Sequence, residues 1–182
     1  MRDRQERERL EYEAAFRAAE APLVQDLVRV GVAVESAWTL VNTAESYPEA
    51  ISVLVAHLQR DYPDRVLEGI ARALAVREAR PVWHALAAVF RNWTDTTGLG
   101  AKAGLAAALS AAADDSVLED LIELVLERRH GENRGLLLDA LRRSKRPEAM
   151  SALENLRHDP ELSREIAVIL RRKLRSRRSP AS

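Results

Sequence analysis

A repeat of about 32 residues constrains the fold of this chain more than any other feature of its sequence. One column of leucines recurs at offsets of 32, 35 and 32 residues, and a second at 35, 32 and 29 residues: Leu54, Leu86, Leu121 and Leu153, then Leu74, Leu109, Leu141 and Leu170. Around both columns apolar residues recur three and four positions apart, as in helices that bury one stripe. Two columns with a shared period predict a pair of helices repeated along the chain.

Prolines and glycines divide this pattern into helices of about ten to fifteen residues. A proline is tolerated in the first helical turn, where its nitrogen has no intrahelical partner to lose. Asp61 before Pro63 and Asp159 before Pro160 are residue types that cap a following helix. The breaks are predicted at Pro22, Gly31, Pro48, Pro63, Pro81, Gly98, Gly131, Pro147 and Pro160.

Because one such helix pair cannot bury its own apolar face, copies must stack and share a core. We therefore predict an all-α protein, an α-solenoid of stacked antiparallel helix pairs, as a single domain over residues 1–175. Four pairs are expected at 48–78, 80–113, 115–144 and 146–175. Residues 22–45 are expected to form a degenerate repeat, residues 1–21 a charged N-terminal capping helix and residues 176–182 a basic disordered tail.

Two segments, DYPDRVLEGIARAL (61–74) and DPELSREIAVIL (159–170), resemble the second-helix signature of HEAT repeats, particularly the short bacterial HEAT-like kind. The resemblance covers roughly residues 48–175. It implies a stack whose second helices line a concave binding face. A basic residue is common after the valine column of the second helix in such repeats, and Lys102 and Arg134 occupy that slot in two of the four pairs, with Leu67 and Ser163 in the others.

The exposed positions of the second helices are the predicted protein-binding residues. They form a mixed-charge ridge, which suits a protein partner because alternating signs provide orientation and specificity. A simple solvated face is the alternative interpretation of each residue. The predicted positions are Glu68, Arg72, Lys102, Arg134, Asp139, Arg142 and Arg143.

Two further features are assigned by their position in the repeat. Gly69 and Gly104 share a column within predicted helices, which favours close helix approach. Trp38 and Trp83 fall on apolar columns and are expected in the core. Trp93 lies in the longest break, RNWTDTTGLG, and is either an interface anchor or a lid folded over the core.

No pattern of catalytic or metal-binding residues emerges. The chain has no cysteine, its four histidines lack zinc-site spacing, and no serine lies in a glycine-flanked elbow. His84 is expected at the surface and His57 partly packed. We therefore predict no enzymatic activity, no cofactor, no metal and no small-molecule substrate.

Charge is distributed unevenly, since residues 171–182 carry six basic and no acidic side chains, leaving 22 basic against 28 acidic before them. No apolar run is long enough for a membrane span, so a cytoplasmic protein without membrane partners is expected. The leading hypothesis is a protein–protein interaction adaptor or regulator, for example a bacterial immunity-type protein. The alternative is a nucleic-acid-binding HEAT-like module that uses the basic C-terminal segment, because one family of DNA glycosylases is built from HEAT-like helices around a basic groove.

Overall fold

The computed structural model describes residues 2–94 and 100–178, with side chains for 4–94 and 100–173. This part of the chain contains ten α-helices and no strand, which confirms the all-α prediction. The helices are α1 (Arg2–Arg29), α2 (Ala37–Val41), α3 (Ala50–His57), α4 (Asp64–Ala73), α5 (Trp83–Asn92), α6 (Ala101–Ala112), α7 (Leu118–Leu126), α8 (Arg134–Arg143), α9 (Pro147–Asn155) and α10 (Ser163–Arg178).

Helices α3 to α10 fall two to each of the four predicted segments. Within a segment the first helix packs on the second, as α5 packs on α6 and α7 on α8. The second helices also lie side by side: α4 packs against α2 and most extensively against α6, α6 packs against α8, and α8 contacts α10. One apolar cluster runs through this arrangement, from Leu23 and Leu27 of α1 to Ile166 and Ile169 of α10.

The close contact between α4 and α6 depends on a glycine in α6. A Cβ atom built on Gly104 would lie 2.8 Å from the Cβ of Ala71 and 3.1 Å from the backbone nitrogen of Arg72, both in α4. A Cβ built on Gly69 would lie 2.8 Å from Nε1 of the Trp38 ring. The shared column therefore marks two close packing contacts. Of the tryptophans, Trp83 is fully buried, whereas Trp38 is only partly buried.

The break predicted at Pro22 is wrong, because α1 continues through it. Leu23 and Leu27 extend the apolar stripe beyond the proline and are fully buried. Pro22 itself and Ala18, whose carbonyl loses its helical partner, are exposed, so that water can solvate the freed carbonyl. Residues 22–29 therefore belong to the N-terminal helix rather than to a separate repeat.

Two smaller differences concern helix ends. Asp159 accepts hydrogen bonds from the backbone nitrogens of Glu161 (3.0 Å) and Leu162 (3.3 Å), as predicted for a cap, but α4 has Pro63 at its N-cap and no side-chain capping bond. At the C-terminus, α10 extends to Arg178, so residues 176–178 are helical. The rest of the predicted tail, residues 179–182, lies outside the described residues.

Candidate interaction surface

The middle of the second-helix layer is built from alanine. Of the side chains in α6, only Ala107 and Ala111 are partly exposed, and the others are buried. The neighbouring helices carry charged side chains, which are Glu68 and Arg72 on α4 and Asp139, Arg142 and Arg143 on α8. We define the second-helix surface as Ala107, Ala111 and these five charged residues. It has a floor of small side chains between two charged walls.

The α4 wall consists of one ion pair beside a groove. Arg72 Nε donates to Glu68 Oε1 at 2.8 Å, one helical turn away, and both side chains are partly buried. Arg72 and Ala107 also line a groove of about 460 Å³. Its other lining residues come from α2, from the segment 43–47 and from the segment after α4. They include apolar side chains such as Leu40 and Val76 and charged ones such as Glu45 and Glu78.

The α8 wall is held by arginines that share one carboxylate. Arg142 Nε donates to Asp139 at 2.7 Å, and Arg143 binds the other oxygen of Asp139 and the backbone carbonyl of Ser110. Burial alone would raise the pKa of Asp139, but the hydrogen bond and charge of Arg142, together with Arg143, lower it. Asp139 thus stays ionised, and Arg143 fixes the wall to α6.

Lys102 and Arg134 do not lie on this surface, and the prediction that they are exposed is wrong. Lys102 is 6% exposed and Arg134 is 1% exposed. Both lie at the start of their helices and contact residues that precede those helices. Lys102 Nζ donates to the carbonyl of Trp93 at 3.2 Å and lies 5.6 Å from the centre of the Phe90 ring.

Arg134 is the centre of a buried polar network. Its guanidinium donates to both carboxylate oxygens of Asp159, at 3.0 and 3.1 Å, and also binds Glu161. Two backbone carbonyls, those of Val125 and Gly131, accept further hydrogen bonds at 3.2 Å. These contacts join α8 to the turn before α10. The basic residue at this position therefore stabilises the fold through a buried ion pair.

Trp93 belongs to the opposite layer of helices. It is partly buried against the core and lines a groove of about 480 Å³ with residues of α5, the first helix of its pair, and with Leu58 and Gln59, which follow α3. The structure therefore does not bring Trp93 together with Arg72 or Asp139. The segment after it, which includes Asp95, Thr96 and Thr97, lies outside the described residues.

Two histidines are buried: His57, which is predicted to be partly packed, and His130, for which the sequence gives no prediction. His57 is 1% exposed, and its ring nitrogens contact Asp26 at 2.9 Å and the hydroxyl of Tyr62 at 2.7 Å. The hydrogen bond with His57 is the largest cause of a lowered pKa at Asp26. His130 is also buried, 3.1 Å from Glu127. His84 is exposed, as predicted. A histidine pattern alone could not have revealed these partners, which lie up to 31 residues away.

Polar contacts also join the segments between successive helix pairs. Ser46 donates to Glu78 at 2.6 Å, Arg80 pairs with Asp114 at 3.0 Å, and Ser144 donates to Asp115 at 2.7 Å. The carbonyl of Ser144 then accepts a hydrogen bond from Lys173 at 2.9 Å. The acidic residues before α7 are thus used in inter-repeat contacts as well as in capping.

Comparison with protein families, with curated proteins and with solved structures found no match to this chain. Among residues 2–94 and 100–178, no helix has the length and apolar character needed to cross a membrane. Within the same residues there is no group of three histidine or acidic side chains arranged to hold a metal ion. The candidate surface is therefore interpreted from its own geometry.

Proposed function

We propose that this chain is a non-enzymatic adaptor, built as a HEAT-like α-solenoid, that binds another protein on its second-helix surface. The side-by-side order of α2, α4, α6, α8 and α10 supports the solenoid, because stacked pairs place successive second helices next to one another. Such stacks use extended concave faces for binding. A bacterial immunity-type protein acting in the cytoplasm is the specific form of this proposal.

The observation that carries the proposal is the alanine floor between the charged walls. A partner helix or loop can approach the α6 backbone closely, because Ala107 and Ala111 extend no further than Cβ. Charged side chains on both walls then lie beside that partner, and complementary charges would orient it. The walls are already internally paired and hence pre-organised, which reduces the ordering cost of binding.

Site-specific photo-crosslinking in the native host tests this proposal. A benzoylphenylalanine at Ala107 is expected to crosslink one protein in stoichiometric yield, identified by mass spectrometry. The matched control replaces Ala88, an exposed alanine on the first-helix layer in α5. Equal crosslinking from both positions, or none from Ala107, would contradict partner binding at the α6 floor.

A second candidate function rests on the exposed face of α10. Arg164, Arg171 and Arg172 are exposed there, and the described residues provide no ion-pair partner for them. Such arginines can neutralise phosphates, although without base contacts they give only salt-sensitive, sequence-independent attraction. Replacing all three with glutamine should weaken duplex binding and reduce its salt dependence if this face binds phosphates. Unchanged binding, or binding that is insensitive to salt, would exclude these three arginines as its cause.

A further inference from the structure

A cavity of about 590 Å³ lies between α1 and the segment that leads into α2, apart from the second-helix surface. Two aromatic side chains of α1, Tyr12 and Phe16, line it together with the apolar Val24 and Val34. Its volume is within the range of small-molecule binding sites. Its charged lining residues are Glu13, Arg17, Glu20, Glu35 and Arg65.

Glu20 is the unusual member of this lining. It is 1% exposed, and one carboxylate oxygen, Oε1, accepts a hydrogen bond from the backbone nitrogen of Ala37 at 2.7 Å. The other oxygen, Oε2, is buried and has no hydrogen-bond partner among the described residues. A buried carboxylate is normally paired, because removing it from water is costly. Glu20 therefore retains capacity for a cationic partner.

No other charged side chain of the cavity forms an ion pair with Glu20 among the described residues. Glu13 is paired with Arg9 and Arg17, each at 3.9 Å. Glu35 is exposed at the cavity and, like Glu20, has no ion-pair partner in the described part of the chain. Glu20 and Glu35 thus have no ion pair although Arg17 and Arg65 also line the cavity. The three carboxylates of the lining outnumber its two guanidinium groups, which favours a positively charged ligand.

The aromatic walls indicate which cation would fit. The guanidinium carbon of Arg65 lies 5.6 Å from the centre of the Phe16 ring and 5.6 Å from that of the Trp38 ring. The protein therefore already places one guanidinium against Phe16, which lines the cavity, and against Trp38, which does not line it. Cation–π attraction stabilises a guanidinium at such a ring. A guanidinium also matches a carboxylate with two parallel N–H donors, whereas an ammonium presents a compact point charge.

We propose that the cavity formed by Tyr12, Phe16, Glu20 and Glu35 binds a guanidinium group, with Glu20 as the buried acceptor. The group could be carried by a small guanidino compound or by an arginine side chain of a polypeptide, which share this chemistry. Val24 and Val34 would contact the aliphatic part that bears it. The inference does not rest on the proposed adaptor function, because the site is distinct from the second-helix surface.

The test is an NMR titration with methylguanidinium, observed at the backbone amide of Ala37, which reports directly on Glu20. A saturable shift is expected with methylguanidinium and not with N-methylurea, a neutral analogue of similar shape. Glu20→Gln keeps an acceptor for Ala37 but removes the charge, and should weaken binding at least tenfold. Glu6→Gln is the matched control, since Glu6 is an exposed carboxylate on the same helix outside the cavity.

Glu35→Gln gives a second variant at an exposed position, where folding is not at issue, and should weaken binding severalfold. Tighter binding of Nα-acetyl-arginine amide than of methylguanidinium would indicate that the ligand is an arginine side chain of a polypeptide. Equal binding would indicate a small guanidino compound. Both outcomes support the site. A non-saturable shift, an equal response to N-methylurea, or unchanged affinity in Glu20→Gln would overturn it.

Discussion

Replacing Arg134 with alanine should strongly destabilise the protein rather than alter its binding surface. The side chain is 1% exposed and donates to Asp159, Glu161 and two backbone carbonyls. Its removal leaves Asp159, which is 5% exposed, with the exposed Arg128 at 3.8 Å as its remaining ion-pair partner among the described residues. Breaking a buried ion pair from one side costs about 3–5 kcal/mol. That loss is a large part of the roughly 5–15 kcal/mol that typically separates folded and unfolded states.

Urea denaturation at pH 7, followed by circular dichroism and tryptophan fluorescence, measures this loss. With a slope of about 2 kcal/mol per molar urea, the midpoint should fall by about 1.5–2.5 M. Arg142→Ala is the matched control on the same helix, since Arg142 pairs with Asp139 at the surface and its loss should cost under about 1 kcal/mol. Equal, small shifts in both variants would refute a buried network at Arg134.

Acid provides an independent check of the same network. The hydrogen bond from Arg134 is the main reason why the pKa of Asp159 lies below its usual value. A lowered carboxyl pKa contributes stability that is present above the unfolded pKa, about 3.9, and is lost as the pH falls through the folded value. The stability difference between the wild type and Arg134→Ala should therefore narrow in acid. A difference that stays constant to about pH 2 would show that Asp159 is not the partner.

Three other measurements follow from the packing and from the buried histidine. Gly104→Ala should destabilise the protein by about 1–3 kcal/mol, because the new methyl group meets Ala71 and the backbone of α4. Gly135→Ala should be neutral or stabilising, because its methyl group lies 3.0 Å from the flexible carboxylate of Glu165. Thermal melts that rank the two variants in reverse would contradict this packing. Burial, and then the charge of Lys102, lowers the pKa of His130, so stability should fall as the pH drops below about 6.5, and His130→Gln should remove that slope in urea titrations. Tyr47→Phe removes the hydrogen bond from the tyrosine hydroxyl to the carbonyl of Ala73, at 2.9 Å, and should lower the free energy of unfolding by about 1–3 kcal/mol; no measurable change would contradict that bond.

The sequence predicts the helices well because their main determinants are local. Apolar spacing and proline or glycine breaks depend on neighbouring residues, and they account for the helix pairs from α3 to α10. Pro22 shows the limit of this reasoning, since burial of Leu23 and Leu27 outweighs the one hydrogen bond that the proline removes. Whether a proline ends a helix thus depends on tertiary contacts that the local pattern does not contain.

Charged residues show the same limit at the candidate site. Helical periodicity places Lys102 and Arg134 on the second helices, but it does not reveal the contacts that bury them. Arg134 is buried because Asp159, 25 residues later, supplies a carboxylate at its guanidinium. Arg72 and Asp139, in contrast, lie further along their helices and have only intrahelical ion-pair partners in the described residues. Their pairing leaves them at the surface, as the sequence predicts.

This division of charges separates the residues that stabilise the fold from those that line the candidate surface. Arg134 and Asp159 join α8 to the turn before α10 in the interior, so changing either should alter folding before it alters any surface. Arg72→Glu, by comparison, breaks only an i, i+4 pair worth about 0.3–0.5 kcal/mol and reverses a charge beside Ala107. If a partner lies on the second-helix surface, Arg72→Glu should reduce photo-crosslinking from Ala107 while leaving the urea midpoint almost unchanged. Reduced crosslinking together with a large loss of stability would instead show that Arg72 is needed for the stability of the fold.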